Sequence, residues 1–77
     1  MPTVLREDGF SIMFYVRDHE PMHVHVFKSG NEVVILIGDV TVRESHGMKL
    51  KDVHKAQDLV ATHQEFLLNE WKRLSSY

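Results

Sequence analysis

The hydrophobic pattern changes period once along this chain, and that change restricts what the chain can fold into. From Val4 to Arg43 apolar residues recur mainly at every second position, and from about Lys49 onward they recur at helical spacing. A period of two sends successive side chains to opposite faces of a strand. A period near 3.6 gathers them on one stripe of a helix. Strands first and helix last predict an α+β domain. We expect a small antiparallel sheet of about four to five strands, spanning roughly 4–43, with one long C-terminal helical segment over about 49–74 packed on one face. Residues 1–77 are expected to form a single domain.

The turn residues divide the first half. Val4 to Glu7 is a short strand, and Asp8-Gly9 is a dipeptide that favours a type I′ hairpin turn. Phe10 to Arg17 follows, with Phe10, Ile12, Phe14 and Val16 on one face and Ser11, Met13, Tyr15 and Arg17 on the other. Pro21 cannot donate to a ladder, so Asp18 to Pro21 is a connection. Met22 to Lys28 resumes the alternation, and Ser29-Gly30-Asn31 is turn chemistry. Glu32 to Ile37 is apolar on both faces, as in an interior strand. Gly38-Asp39 suits a type II′ turn into a last strand from Val40 to Arg43, and Glu44 to Gly47 reads as a loop. The helical stripe carries Val53, Ala56, Val60, His63 or Gln64, Leu67, Trp71 and Leu74, with a bend expected near Ala61-Thr62-His63. His63 and Trp71 on this stripe are expected to serve the core, whereas His46 and His54 are expected to be peripheral.

One helix covers one face of a sheet. The covered face should hold Phe10, Ile12, Phe14, Val16, Met22, Val24 and Val26. The other face then carries Met13, Tyr15, Arg17, His23, His25 and Phe27, a mixed and partly apolar surface of the kind that proteins use for contact. Those six residues are the candidate partner-binding set, for a small cognate protein or for self-association.

Charge and composition narrow the choices further. There is no cysteine, which excludes disulfides and thiolate metal sites and fits a reducing, cytoplasmic setting. The longest unbroken apolar run, Val33 to Ile37, is far too short to span a bilayer, so no membrane partner is expected. The opening Met1 to Glu7 has the features of neither a signal peptide nor a transit peptide. A formal charge of −2 argues against a protein that coats nucleic acid. Lys49, Lys51 and Lys55 are interleaved with Asp52 and Asp58 and read as a solvated helix face.

The chemistry-bearing residues concentrate in Asp18-His19-Glu20-Pro21-Met22-His23-Val24-His25, which holds three of the six histidines. His23 and His25 leave the same strand face about 6.5–7 Å apart. Three readings of the segment stay open. In the first, the histidines pack and hydrogen-bond as structural groups within an interface. In the second, His23 or His25 acts as general acid or base with Asp18 or His19 beside it, and Arg17 stabilises an oxyanion; RNA would be the substrate of such an enzyme. In the third, His23 and His25 bind a divalent metal, with Asp18, His19 or Glu20 as a further ligand. No organic cofactor is expected.

Several residues together, Met1-Pro2-Thr3, Gly9-Phe10, Asp18-His19-x-Pro21-x-His23-x-His25, Gly30 with Glu32, and His63…Leu67…Trp71, resemble a family of small prokaryotic domains of unknown function. Its members are often encoded beside a second small protein. The resemblance covers nearly the full length. It implies a compact α+β domain, a tight complex with the neighbouring product, and a role as the growth-inhibiting half of a toxin–antitoxin pair. By position, importance would pass to Asp18, His19, Pro21, His23 and His25. Relatives carry Pro-Pro before the histidine pair and an aromatic between the two histidines; this chain has Met22 and Val24 there.

Overall fold

The computed structural model describes residues 3–14 and 21–74. Five strands form one antiparallel sheet in sequence order: β1 (Thr3–Glu7), β2 (Phe10–Met13), β3 (His23–Lys28), β4 (Asn31–Leu36) and β5 (Val42–His46). Two helices follow, α1 (Leu50–Thr62) and α2 (Gln64–Leu74). The α+β architecture is the one expected from the change of period.

Two tight turns set the register. Asp8 and Gly9 both have positive φ, at 53° and 83°, as a type I′ turn requires. Ser29 and Gly30 repeat the geometry at 51° and 82° and pair Lys28 directly with Asn31. With register fixed, the alternation does the rest. Ile12 lies opposite Val26, Val26 opposite Val33, and Val24 opposite Ile35. These residues, with Phe10, Phe14 and Ile37, form the buried layer against Val53, Ala56, Leu59, Val60, Leu67 and Trp71. Both helices therefore lie on one face of the sheet. Met22 packs against this core at its margin, as expected. Val16 and Arg17, assigned to the two faces of the second strand, lie outside the described residues.

The helical segment is broken at His63, whose φ of −105° and ψ of 19° leave the helical region. The hydrogen-bond ladder nonetheless crosses the joint, since His63 N–H donates to Leu59 O and Leu67 N–H donates to His63 O. The side chains at the joint reach the sheet. His63 Nε2 lies 3.0 Å from Glu7 Oε1 on β1. Gln64 Nε2 donates to Ile37 O and Gly38 O beyond β4. His63 is thus a half-exposed hydrogen-bond partner of Glu7 and not the core residue the stripe predicts, whereas Trp71 is a core anchor as the stripe indicated.

Two expectations are corrected. The last strand does not end at Arg43: Ser45 and His46 pair with Val33 and Glu32, so the stretch from Glu44 to His46 is ladder and not loop. Its residues are all exposed, and an exposed edge strand needs no apolar alternation. The link before it is not a II′ turn at Gly38-Asp39. Leu36 N–H donates to Thr41 O across a wider loop, and the positive φ of 59° falls on Val40. Both edge strands also carry one residue more than their neighbours opposite. The register slips at Thr3/Leu5 in β1, and Val34 and Ile35 face Glu44 and Val42 across β5.

Gly47 links β5 to the helical layer at a φ of +78°, and a Cβ there would sit 2.9 Å from Asn31 Oδ1. Gly47→Ala should cost about 1–2 kcal/mol, from left-handed strain and displacement of Asn31. In a domain this small that lowers Tm by roughly 4–8 °C per kcal/mol. Gly38, with nothing within 4 Å of a Cβ and no left-handed φ, is the control, and Gly38→Ala should change stability by under about 0.5 kcal/mol. Equal stability of the two variants in thermal unfolding would contradict the geometry at Gly47.

Candidate functional site

The face of the sheet turned away from the helices is organised in cross-strand rows. One row runs Arg6, Ser11, Phe27, Glu32, His46. The next runs Met13, His25, Val34, Glu44. A third joins His23 to Leu36. Met13, Phe27 and Leu36 are half-buried, Val34 is buried, and Arg6, Glu44 and His46 are exposed. The expected partner-binding residues Met13, His25 and Phe27 thus share one surface. Tyr15 and Arg17 of that set lie outside the described residues, as do Asp18, His19 and Glu20.

The paired histidines are held differently from one another. His25 Nδ1 lies 2.7 Å from Glu32 Oε2. An ionised carboxylate only accepts, so the proton of this short bond belongs to Nδ1. His25 Nε2 is buried away from solvent. His23 Nδ1 donates to Pro21 O over 2.8 Å, which fixes the point where connection becomes strand. The two rings meet edge to face with centroids 5.2 Å apart.

His23 departs from the position the alternation gave it. It is only 8% exposed, because its ring lies 5.4 Å from that of Trp71. Trp71 in turn meets the ring of Phe14 at 5.6 Å and nearly at right angles. A residue expected on open surface is therefore enclosed by a side chain from α2. No local pattern could show this, since the covering group is nearly fifty positions away.

Glu32 lies on the same face as His25 and was assigned no role from the sequence. The signal for it lay in the turn. A two-residue loop at Ser29-Gly30 puts Phe27 opposite Glu32, and His25 is then diagonal to that pair, within reach of a long side chain. Among the described residues no group of three or more His, Asp or Glu is placed to hold a metal ion. His46 and Glu44, 3.3 Å apart at the exposed edge, form a separate pair.

A second feature adjoins this face. A shallow cavity of about 350 Å³ is lined by Pro21, Met22, Leu36, Gly38 and Asp39. The Thr41 hydroxyl and backbone N–H both donate to Asp39 Oδ1, at 2.7 and 3.2 Å. The hydroxyl bond foremost, and then the N–H bond, hold this exposed carboxyl below the ordinary aspartate value.

The family model described as Domain of unknown function (DUF4160) matches residues 9–72. The chain belongs to this family. No curated protein and no solved structure matches it. The family match takes in His23, His25, Glu32 and Trp71, so the whole uncovered face except β1 and the loop before β2 falls within the shared domain. Among the described residues no helix is long and apolar enough to cross a membrane.

Two outcomes test the geometry. Long-range proton–nitrogen spectra should show His25 protonated at Nδ1, and Glu32→Ala should abolish that fixed state and cost about 1–3 kcal/mol. A wild-type spectrum with bare Nδ1 would overturn the pairing. Because Asp39 is depressed, its bonds to Thr41 are complete above the ordinary aspartate value, near ~3.9, and are lost as pH falls through the lower folded value. The Thr41 amide resonance should therefore titrate with a midpoint below ~3.9, and Asp39→Asn should remove the titration. A midpoint at or above the ordinary value would count against the loop bonds.

Proposed function

We propose that this chain is a binding module whose uncovered sheet face docks a small cognate protein, as the toxin-like component of a prokaryotic toxin–antitoxin-type pair. The observation that carries the docking reading is the layout of that face. Met13, Phe27, Val34 and Leu36 supply apolar surface around the His25–Glu32 pair, and Arg6 on β1 and Glu44 and His46 on β5 place polar groups at the two edges. Apolar surface bordered by polar groups is the anatomy of protein–protein interfaces. The extra residue in each edge strand supports docking by the face, because a bulge spoils the flat ladder that strand addition needs. The toxin role rests on the resemblance described above.

The alternative, a histidine-based nuclease, finds a carboxylate-oriented imidazole in His25–Glu32. Such a base must bring its second nitrogen within hydrogen-bond reach of substrate, and His25 Nε2 is buried. That burial favours a holding role for His25: it ties β3 to β4 under the docking surface.

Co-expression with the product of the adjacent gene should give a complex stable on size exclusion, and the neighbour should relieve growth inhibition caused by this chain alone. Met13→Glu or Phe27→Glu should raise Kd about 30-fold or more, as loss of a central anchor does. A monomer that ignores its neighbour, or a complex indifferent to both substitutions, would contradict the proposal.

A further inference from the structure

The cavity at the end of β3 and β4 is continuous with the docking face through Leu36, which lines the one and lies in the rows of the other. Its walls are set firmly. Pro21 has a fixed backbone and is held by its carbonyl, which accepts from His23. Ile37 N–H donates to Met22 O and ties the two strand ends together. The loop on the other side is clamped from the helices: Gln64 donates to Ile37 O and Gly38 O, and Gln57 donates to Val40 O over 2.8 Å. Those clamps hold Val40 at a φ of 59°, a conformation that a β-branched residue avoids. Strain of this kind persists only where the surroundings over-determine it, and it concentrates at binding sites. The lining is mostly carbon, with one charge: the Asp39 carboxylate. Both bonds from Thr41 fall on Oδ1, and the carboxylate is exposed.

We propose that this cavity is the specificity pocket of the docking face, and that it receives from the partner protein a bulky apolar side chain flanked by a lysine or arginine. The inference rests on the docking reading above. The apolar walls of Met22 and Leu36 take the hydrocarbon, and Asp39 at the rim takes the cation. A volume of about 350 Å³ is at the lower end of ligand-sized cavities, enough for one large side chain and its stem. A carboxylate flanking the partner's apolar residue would meet Asp39 as a like charge, and this gives the pocket its discrimination.

The test uses the full chain, labelled with nitrogen-15, and three capped tripeptides: Lys-Leu-Lys, Gln-Leu-Gln and Glu-Leu-Glu. Lys-Leu-Lys should produce saturable shifts at the amides of Leu36, Gly38 and Asp39. Gln-Leu-Gln should bind about two- to fivefold more weakly, the effect of one exposed ion pair, and Glu-Leu-Glu more weakly still. Asp39→Asn should reduce Lys-Leu-Lys to the level of Gln-Leu-Gln. Gly38→Leu adds a large side chain to a residue that lines the cavity, at a position where a Cβ meets nothing, so it should leave the fold intact and weaken binding of all three. Equal response to the three peptides, shifts away from the cavity, or unchanged binding in Gly38→Leu would overturn the assignment. The peptides report without the cognate protein. No shift here, with a cognate complex that still depends on Met13 and Phe27, overturns the pocket and leaves the docking face standing. Saturable binding here with no cognate complex overturns the docking reading and, with it, the pocket's role in docking, and leaves only the cavity's preference for an apolar side chain flanked by a cation.

Discussion

Trp71 is the group on which the rest of this structure depends. Its ring closes the end of the buried layer against Phe14 and at the same time encloses His23. A tryptophan removed from water to this degree contributes several kcal/mol, about 3–5 by the cost of truncating such residues to alanine. In a domain of 77 residues, where net stability is a small difference between large terms, one such contact is a substantial share. The contact also has a direction. It joins the last helix to the first residue of β3 and so fixes where the Pro21 connection enters the sheet. Everything on the uncovered face is registered from that point, because the turn at Ser29-Gly30 then carries the alternation into β4.

The asymmetry of the two faces follows from the helix count. α1 and α2 together supply enough apolar surface for one side of a five-stranded sheet. The other side carries the cross-strand rows of Met13, His25, Phe27, Glu32, Val34 and Leu36. Val34 is buried, and Met13, Phe27 and Leu36 are half-buried. His25–Glu32 spans β3 and β4 within this layer. A polar pair that keeps partial contact with solvent avoids most of the desolvation penalty of a fully buried ion pair, while still fixing both side chains.

What was legible in the sequence was whatever local chemistry decides. Asp8-Gly9 needed positive φ and took it. Val53, Ala56, Val60, Leu67 and Trp71 followed a helical stripe into the core. What was not legible was set from a distance. The positive φ expected near Gly38 appears at Val40, because glutamines from two helices pull the loop into that shape. Ser45 and His46 are strand because β4 pairs with them, with no apolar pattern of their own. The pattern allowed a bend or break near Ala61-Thr62-His63 within one long helical segment, but the partners that set it, Glu7 and the loop after β4, belong to other elements. The histidine pair shows both cases side by side: strand spacing brought His23 and His25 into contact, and Trp71 then made one of them a core residue.

That division bears on how the Asp18–His25 segment should be understood. Placed on a strand, two histidines two positions apart look equivalent, and equivalence is what a metal or acid–base reading needs. The structure makes them unlike. His23 is bound to the chain's own carbonyl and packed on tryptophan, so it locks the entry to β3. His25 is bound to a carboxylate on the neighbouring strand, so it locks the register of β3 on β4. Pro21, between the locked histidine and the cavity, is left exposed as a wall of that cavity. Prolines and histidines at such spacing thus have a mechanical reading: they hold the backbone of this face in shape, and in the docking reading proposed above their neighbours Met13, Phe27, Leu36 and Asp39 are the residues that would meet a partner.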